Sequence, residues 1–126
     1  MKIVSKSLIA GAIALAGTGL APLSAQESAA DPVAQEEQID NGLKNFGYIA
    51  GLSRGCVAEE QQTAFEKDVL DIYAGVSRLL GIDRAFLFSA AFGYGTSVEI
   101  ERENCGEILE QYEGRATKFR SAARGE

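Results

Sequence analysis

The chain has 126 residues, a formal net charge of −6, no histidine and two cysteines. Without histidine it lacks the usual general base, the Ser-His and Cys-His nucleophile pairs and the ligands of most zinc sites. Its acidic balance disfavours nucleic acid and anionic membranes as partners, because both carry negative charge. We therefore expect no enzyme, no catalytic residue, no cofactor and no metal site.

The first 25 residues have the three parts of a secretory signal peptide. Lys2 and Lys6 give a positive start, residues 8–20 form an apolar run, and small residues precede a cleavage site at Ala25, with Ala30 as a second candidate. A membrane-spanning helix needs about 20 predominantly apolar residues, and this run is shorter. No cysteine lies near the cleavage region. These features predict a periplasmic or secreted protein that is not a lipoprotein and has no stable membrane insertion after processing.

The remaining chain predicts a leader and one small domain. Residues 26–35 are polar, acidic and rich in alanine, which is typical of a disordered leader. Residues 36–122 show apolar residues at helical spacing and almost no alternation of β-branched residues. We predict an all-α fold, either a small four-helix domain or three helices with an extension, tied by one disulfide.

The first predicted helix begins near Glu36 and ends between residues 55 and 59. Apolar residues recur along it at a spacing of three or four, which gives one buried stripe. The members of this stripe are Ile39, Leu43, Phe46, Ile49 or Ala50, Leu52 and Cys56.

The second predicted helix has the clearest signals at its ends. Thr63 and Glu66 have the spacing of a capping box, and Gly81 is placed to end the helix in a left-handed conformation. Its apolar stripe comprises Phe65, Val69, Ile72 or Tyr73, Val76 and Leu79 or Leu80.

The third predicted helix starts with Asp83 as its cap. Residues 85–92 are apolar on all sides, which is typical of a buried central helix. Gly93 and Gly95 weaken the helix, and the sequence leaves open whether it turns there or continues through Val98 and Ile100.

The fourth predicted helix starts at a second capping-box pattern, Asn104 with Glu107, and should fray after Arg120. Its stripe comprises Cys105, Ile108 or Leu109, Tyr112, Ala116 and Phe119. A cluster of cations near its end is typical of side chains that complement a helix dipole. That cluster is Arg115, Lys118, Arg120 and Arg124.

The two cysteines predict a disulfide, because an exported chain meets an oxidising environment. Cys56 falls at the end of the first helix and Cys105 at the start of the fourth. Redox-active pairs usually lie close together as Cys-x-x-Cys, and these two are far apart. The bond should therefore fix the ends of the helices and have no redox chemistry of its own.

A row of glycines marks the first helix. Gly47, Gly51 and Gly55 lie at i, i+4 and i+8 and leave one face without side chains. Another helix of the same chain can fill such a groove, or a partner's helix or a ligand can occupy it. With Tyr48 and Arg54 these glycines form the candidate interaction groove.

Residues 47–51, Gly-Tyr-Ile-Ala-Gly, are similar to a stretch of the helical immunity proteins that neutralise cell-wall amidase toxins. The expected architecture also resembles that of the helical periplasmic acid-stress chaperones, which are small exported domains with one disulfide. The first resemblance implies an inhibitor of a protein partner, and the second implies a chaperone.

Three functions follow as hypotheses. The first is an inhibitor, immunity protein or accessory subunit that binds one protein of the cell envelope. The second is an acid- or envelope-stress chaperone that exposes apolar residues when its carboxylates are protonated, and a homodimer is left open. Those residues are Phe86, Leu87, Phe88 and Phe92. The third is a small-molecule binder with a pocket lined by Tyr48, Tyr73 and Tyr94.

Overall fold

A computed structural model describes residues 31–126. The predicted signal peptide, both cleavage candidates and residues 26–30 of the predicted leader lie outside the described residues. Residues 37–126 form a compact unit. The described chain contains four α-helices and no strand, which confirms the all-α class. The helices are α1 (Pro32–Arg54), α2 (Gln62–Leu80), α3 (Ile82–Thr96) and α4 (Cys105–Ala123), and 3₁₀ turns at Glu59–Gln61 and Arg102–Asn104 precede α2 and α4.

The first helix begins one turn earlier than the sequence predicted, at Pro32 instead of Glu36. The Oδ1 of Asp31 accepts a hydrogen bond of 3.1 Å from the backbone N–H of Val33. Aspartate is a favourable helix cap and proline suits the first helical position, since its missing N–H is not needed there. Residues 32–35 of the predicted leader are therefore helical.

The two predicted capping boxes do not form. Gln61 and Asn104 occupy the cap positions of α2 and α4, and neither makes a side-chain capping bond. Each helix continues directly from a 3₁₀ turn whose carbonyls accept the first N–H groups, such as that of Cys105 bonding to the Arg102 carbonyl. Because the turn already satisfies these donors, no side chain is needed, and Glu66 instead accepts a bond from Arg54.

Gly81 alone joins α2 to α3. Its φ of +99° lies in the region that favours glycine, whereas its ψ of 158° differs from the left-handed helical conformation that was predicted. Gly81 also takes the cap position of α3, which begins at Ile82. Asp83 is therefore not the cap and lies in the first turn, where its charge complements the helix dipole.

The third helix continues through Gly93 and Gly95 and ends at Thr96. At its end the hydroxyls of Thr96 and Ser97 donate bonds of 2.7 Å to the carbonyls of Gly93 and Tyr94, respectively. Val98 follows the helix in the loop that leads to α4. The alternative left open by the sequence is thus decided in favour of one continuous helix that ends before Val98.

Phe46 lies at the centre of the core and is 2% exposed. Its ring centroid is 5.2 Å from that of Phe88 on α3 and 5.7 Å from that of Phe119 on α4. All four helices contribute to the buried cluster around it. Its other members are Leu43, Ile49, Ala50, Val69, Ile72, Val76, Ala85, Tyr112 and Ala116.

The fourth helix is anchored at both ends. Cys105, its first residue, forms the predicted disulfide with Cys56, which follows α1, and the two Cα atoms are 5.4 Å apart. At the other end the helix extends to Ala123 instead of fraying after Arg120, because Ala122 is only 8% exposed.

The second and fourth helices are joined by close packing and by ionic bonds. A Cβ on Gly75 would collide with the backbone carbonyl of Phe119, so the two helices approach closely at this point. Nearby, Asp68 accepts a hydrogen bond of 2.6 Å from the Tyr112 hydroxyl and bonds of 2.7 and 2.8 Å from the guanidinium of Arg120. The close approach at Gly75 and the hydrogen bonds to Asp68 together hold α2 against α4.

Candidate functional site

The predicted glycine groove is filled by α3 of the same chain. A Cβ on Gly47 would collide with the Phe88 carbonyl and lie 2.9 Å from the Cβ of Ala91. A Cβ on Gly51 would collide with the Phe92 carbonyl and lie 2.7 Å from the Cα of Gly95. These distances are shorter than van der Waals contact, so glycine is required where α1 and α3 touch. Of the three occupants considered for the groove, the structure shows the helix of the same chain.

The other members of the predicted groove are separated from one another. Arg54 bonds to Glu66, and its carbonyl accepts a bond of 3.3 Å from Gln62. Gly55 lies in the turn after α1, where a Cβ would be 3.3 Å from Ile100. Arg54 and Gly55 therefore belong to the connection between α1 and α2.

Tyr48, another member of the predicted groove, lines a surface cavity. Its ring stacks on that of Tyr94 with a centroid distance of 5.7 Å and an interplanar angle of 28°. The Tyr94 side of this pair is 65% exposed. Tyrosine combines a large apolar body with a polar end, which is why it is common in protein-binding sites.

The outer side of α3 is exposed, so the prediction of a buried central helix is wrong. Phe88 and Ala85 are 0% exposed on the side that packs against the core, whereas Ile82 is 59% and Phe86 69% exposed on the opposite side. We name this exposed side the α3 face. It consists of Ile82, Phe86, Ser89, Ala90 and Gly93.

A shallow cavity adjoins each side of the α3 face. On the α1 side, a cavity of about 640 Å³ includes Ala90 together with Tyr48, Leu87 and Tyr94. On the α2 side, a cavity of about 280 Å³ is lined in part by Ser89 and by Leu70, which is 66% exposed. The α3 face and its two flanks therefore form one apolar surface that spans three helices.

Charge is absent from most of this surface. No charged residue occurs between Arg84 and Glu99 in a chain with a net charge of −6. The cavities have one charge each in their lining, Lys44 on the α1 side and Glu66 on the α2 side. An apolar centre with charges at its margin has the composition expected of a protein-binding site.

The three tyrosines of the predicted small-molecule pocket do not meet in one cavity. Tyr48 and Tyr94 line the cavity between α1 and α3. Tyr73 lines the cavity between α2 and α3, on the other flank of the α3 face. A single pocket with all three rings is therefore wrong for this fold, because α3 lies between them.

A dense cluster of ionisable groups, formed by Asp68, Tyr112 and Arg120, lies between α2 and α4. Burial raises the pKa of Asp68, but hydrogen bonds from Arg120 and Tyr112 outweigh this effect and lower it below its ordinary value of 3.8. Burial and the adjacent Asp68 carboxylate raise the pKa of the Tyr112 hydroxyl, so that it stays protonated at neutral pH. These groups satisfy one another and act as a clamp between helices.

Within residues 31–126, no group of three or more cysteine, aspartate or glutamate side chains is arranged to hold a metal ion. None of the helices there is both long enough and apolar enough to span a bilayer.

Comparison with known proteins adds no relative: no family model, no curated protein and no solved structure matches this chain. The candidate site therefore depends on the geometry of the chain itself.

Proposed function

We propose that this protein acts outside the cytosol by binding another protein through the α3 face and its two flanking cavities. The observation that carries the proposal is the exposure of Phe86, which is 69% accessible on a helix that has no charged residue after Arg84. Contiguous exposed apolar surface in a small domain marks an interaction site, since water disfavours it and selection otherwise removes it.

The inner side of α3 supports the same proposal. Gly47 and Gly51 let α3 lie directly on the backbone of α1, and the disulfide joins the end of α1 to the start of α4. The face is thus presented on a rigid support, which lowers the entropy lost on binding. Rigid presentation suits an inhibitor, immunity protein or accessory subunit with one defined partner.

A chaperone has a different requirement, because it must expose apolar surface on demand. The α3 face is already exposed in the folded chain, while Phe88 is fully buried in the core. The Asp68 clamp, with its lowered pKa, keeps its charge below the pH at which an ordinary carboxylate is protonated. These features favour constitutive binding of a folded partner over acid-induced exposure.

The experiment is affinity capture with the processed chain from the envelope fraction of the native organism. We expect wild type to retain one stoichiometric partner and Phe86→Glu to lose it, because a charge at the centre of an apolar interface must be desolvated. Thr117→Glu is the matched control, since it adds the same charge at an exposed position of α4, a helix with no residue in the α3 face or in its flanking cavities. Equal capture by wild type and Phe86→Glu would contradict the proposal.

A further inference from the structure

A second surface feature lies away from the α3 face, between α1 and α4. A cavity of about 820 Å³ opens there. We name it the α1–α4 groove and define it by Gly42, Leu43, Phe46, Gly114, Arg115 and Phe119. Its apolar residues belong to the core, and Leu80 at the end of α2 adds to its wall. The volume lies within the range of about 300–1,000 Å³ that small-molecule sites usually have.

Two glycines keep this groove open. Gly42 lies in α1 and Gly114 in α4, and a Cβ added to either would meet no atom within 4 Å. Packing within the chain therefore requires neither glycine, in contrast to Gly47, Gly51 and Gly75. A glycine inside a helix costs about 1 kcal/mol relative to alanine. Both glycines line the same cavity, so a side chain at either position would take up part of its space.

Two cations of α4, Arg115 and Lys118, also line the groove. Within the cluster near the end of α4, Arg120 bonds to Asp68 and Glu113, and Arg124 bonds to Glu126. Arg115 and Lys118 differ, since no carboxylate of residues 31–126 bonds to either of them.

The contacts of these two cations leave them available to a ligand. One N–H of Arg115 donates a bond of 2.8 Å to the neutral Asn45, which leaves most of its five donors available. The ammonium of Lys118 lies 5.0 Å from the centre of the Phe119 ring. Arg115 and Lys118 lie at i and i+3 on α4, so both side chains extend over the same face of the helix. They can therefore approach a single anionic group.

From this combination we infer that the α1–α4 groove binds an apolar monocarboxylate, a molecule with one carboxylate on an aliphatic body. The carboxylate pairs with Arg115 and Lys118, whose charges are complementary to it. The aliphatic part lies over Phe46 and Phe119 in the space that Gly42 and Gly114 leave open. This binding site is separate from the α3 face and does not depend on the proposed protein partner.

The test is isothermal titration of the processed protein with sodium decanoate below its micelle concentration. We expect saturable binding of one decanoate per chain, and weaker binding of two probes with the same chain length, neutral decyl glucoside and cationic decyltrimethylammonium. Added salt should weaken the binding of decanoate, because salt screens exposed charges.

The variant Gly114→Leu should block the groove without destabilising the fold. Leucine fills the open space and is the better helix former, so the melting temperature should stay the same or rise while decanoate affinity falls by about tenfold or more. Gly42→Leu is a second variant with the same expectation. Gly106→Leu is the matched control, since Gly106 also lies in a helix in open space and belongs neither to the groove nor to the α3 face.

Replacement of the cations tests the recognition of the carboxylate. Lys118→Gln combined with Arg115→Gln should remove the preference for decanoate over the neutral glucoside. Three results would overturn the inference: no saturable binding of decanoate, equal binding by folded Gly114→Leu and wild type, or equal binding of decanoate and decyltrimethylammonium. Loss of the protein partner in Phe86→Glu with decanoate binding retained would show that the two sites act independently.

Discussion

The Tyr112 hydroxyl donates a hydrogen bond of 2.6 Å to Asp68, a carboxylate that Arg120 also binds. The contact joins α4 to α2 across 44 residues of sequence. Asp68 and Tyr112 are both partly shielded from solvent, so the hydrogen bond between them should contribute measurably to the free energy of unfolding.

Asp68→Asn should lower the free energy of unfolding by about 1–3 kcal/mol at pH 7, the usual worth of hydrogen bonds to a charged group. The pKa of Asp68 is lower in the folded chain than in the unfolded chain. Its contribution is therefore fully present above about pH 4 and is lost as the pH falls through the folded-state pKa. Urea unfolding of wild type and variant at pH 7 and at pH 2.5 checks this. A difference in stability that does not narrow in acid would contradict it.

Gly75→Ala should destabilise the protein, although alanine is the better helix former. The added methyl would collide with the Phe119 carbonyl, and overpacking of this kind usually costs about 1–3 kcal/mol. The matched control is Gly93→Ala, which adds a methyl in open space and should stabilise by about 0.5–1 kcal/mol. Thermal unfolding of the two variants should give shifts of opposite sign, and shifts of the same sign would show that α2 and α4 do not approach this closely.

Ser53→Ala should stabilise the protein slightly. Ser53 is 0% exposed, and its hydroxyl has no hydrogen-bond partner among the described residues. A buried polar group without a partner costs about 1–3 kcal/mol, part of which its removal recovers. The control Ser89→Ala, at an exposed position of α3, measures the gain from helix propensity alone. The gain in free energy of unfolding should be larger for Ser53→Ala, and a loss of stability would indicate that the hydroxyl is satisfied.

Removal of the disulfide by Cys56→Ala with Cys105→Ala should lower the free energy of unfolding by about 4 kcal/mol in the chain-entropy model. The bond spans a sequence separation of 49 residues, and closing a loop of that length restricts the unfolded chain. Guanidinium unfolding of the double variant measures the effect. Phe46 and its ring contacts are part of the core with or without the disulfide, so the double variant should fold but have a lower free energy of unfolding. A change below about 1 kcal/mol would exclude this account.

The core could be predicted from the sequence because its apolar residues recur with the period of an α-helix. Leu43, Phe46 and Ile49 have this spacing, so they lie on one face of the helix and are buried together. The disulfide was predicted on a different ground, because two cysteines in an exported chain meet an oxidising environment. The helical periodicity then placed Cys56 at the end of the first helix and Cys105 at the start of the fourth.

The position of α3 could not be predicted in this way. A helix that is apolar on all sides indicates burial only if enough other elements surround it, and in residues 31–126 α3 packs its inner side and leaves Phe86 exposed. The same pattern is equally typical of a helix whose second side awaits a partner, and sequence alone does not separate the two.

The sequence also did not predict which individual glycines lie against a neighbouring helix. Gly47 and Gly42 both lie inside α1, yet a Cβ would collide at the first and meet nothing at the second. The sequence singled out the row with regular spacing and missed Gly42, Gly75 and Gly114. Which glycine is approached by a neighbour depends on how the helices cross, and periodicity contains no information about that.

The most direct test of the central claim is amide hydrogen exchange of the processed protein, alone and with its captured partner. Partner binding should slow exchange most in Ile82–Thr96, because covering the α3 face suppresses the local opening of that helix. Exchange along the exposed part of α4 should change little. Slowed exchange elsewhere in residues 31–126, with Ile82–Thr96 unchanged, would show that the partner binds a different surface and that the α3 face is not the site.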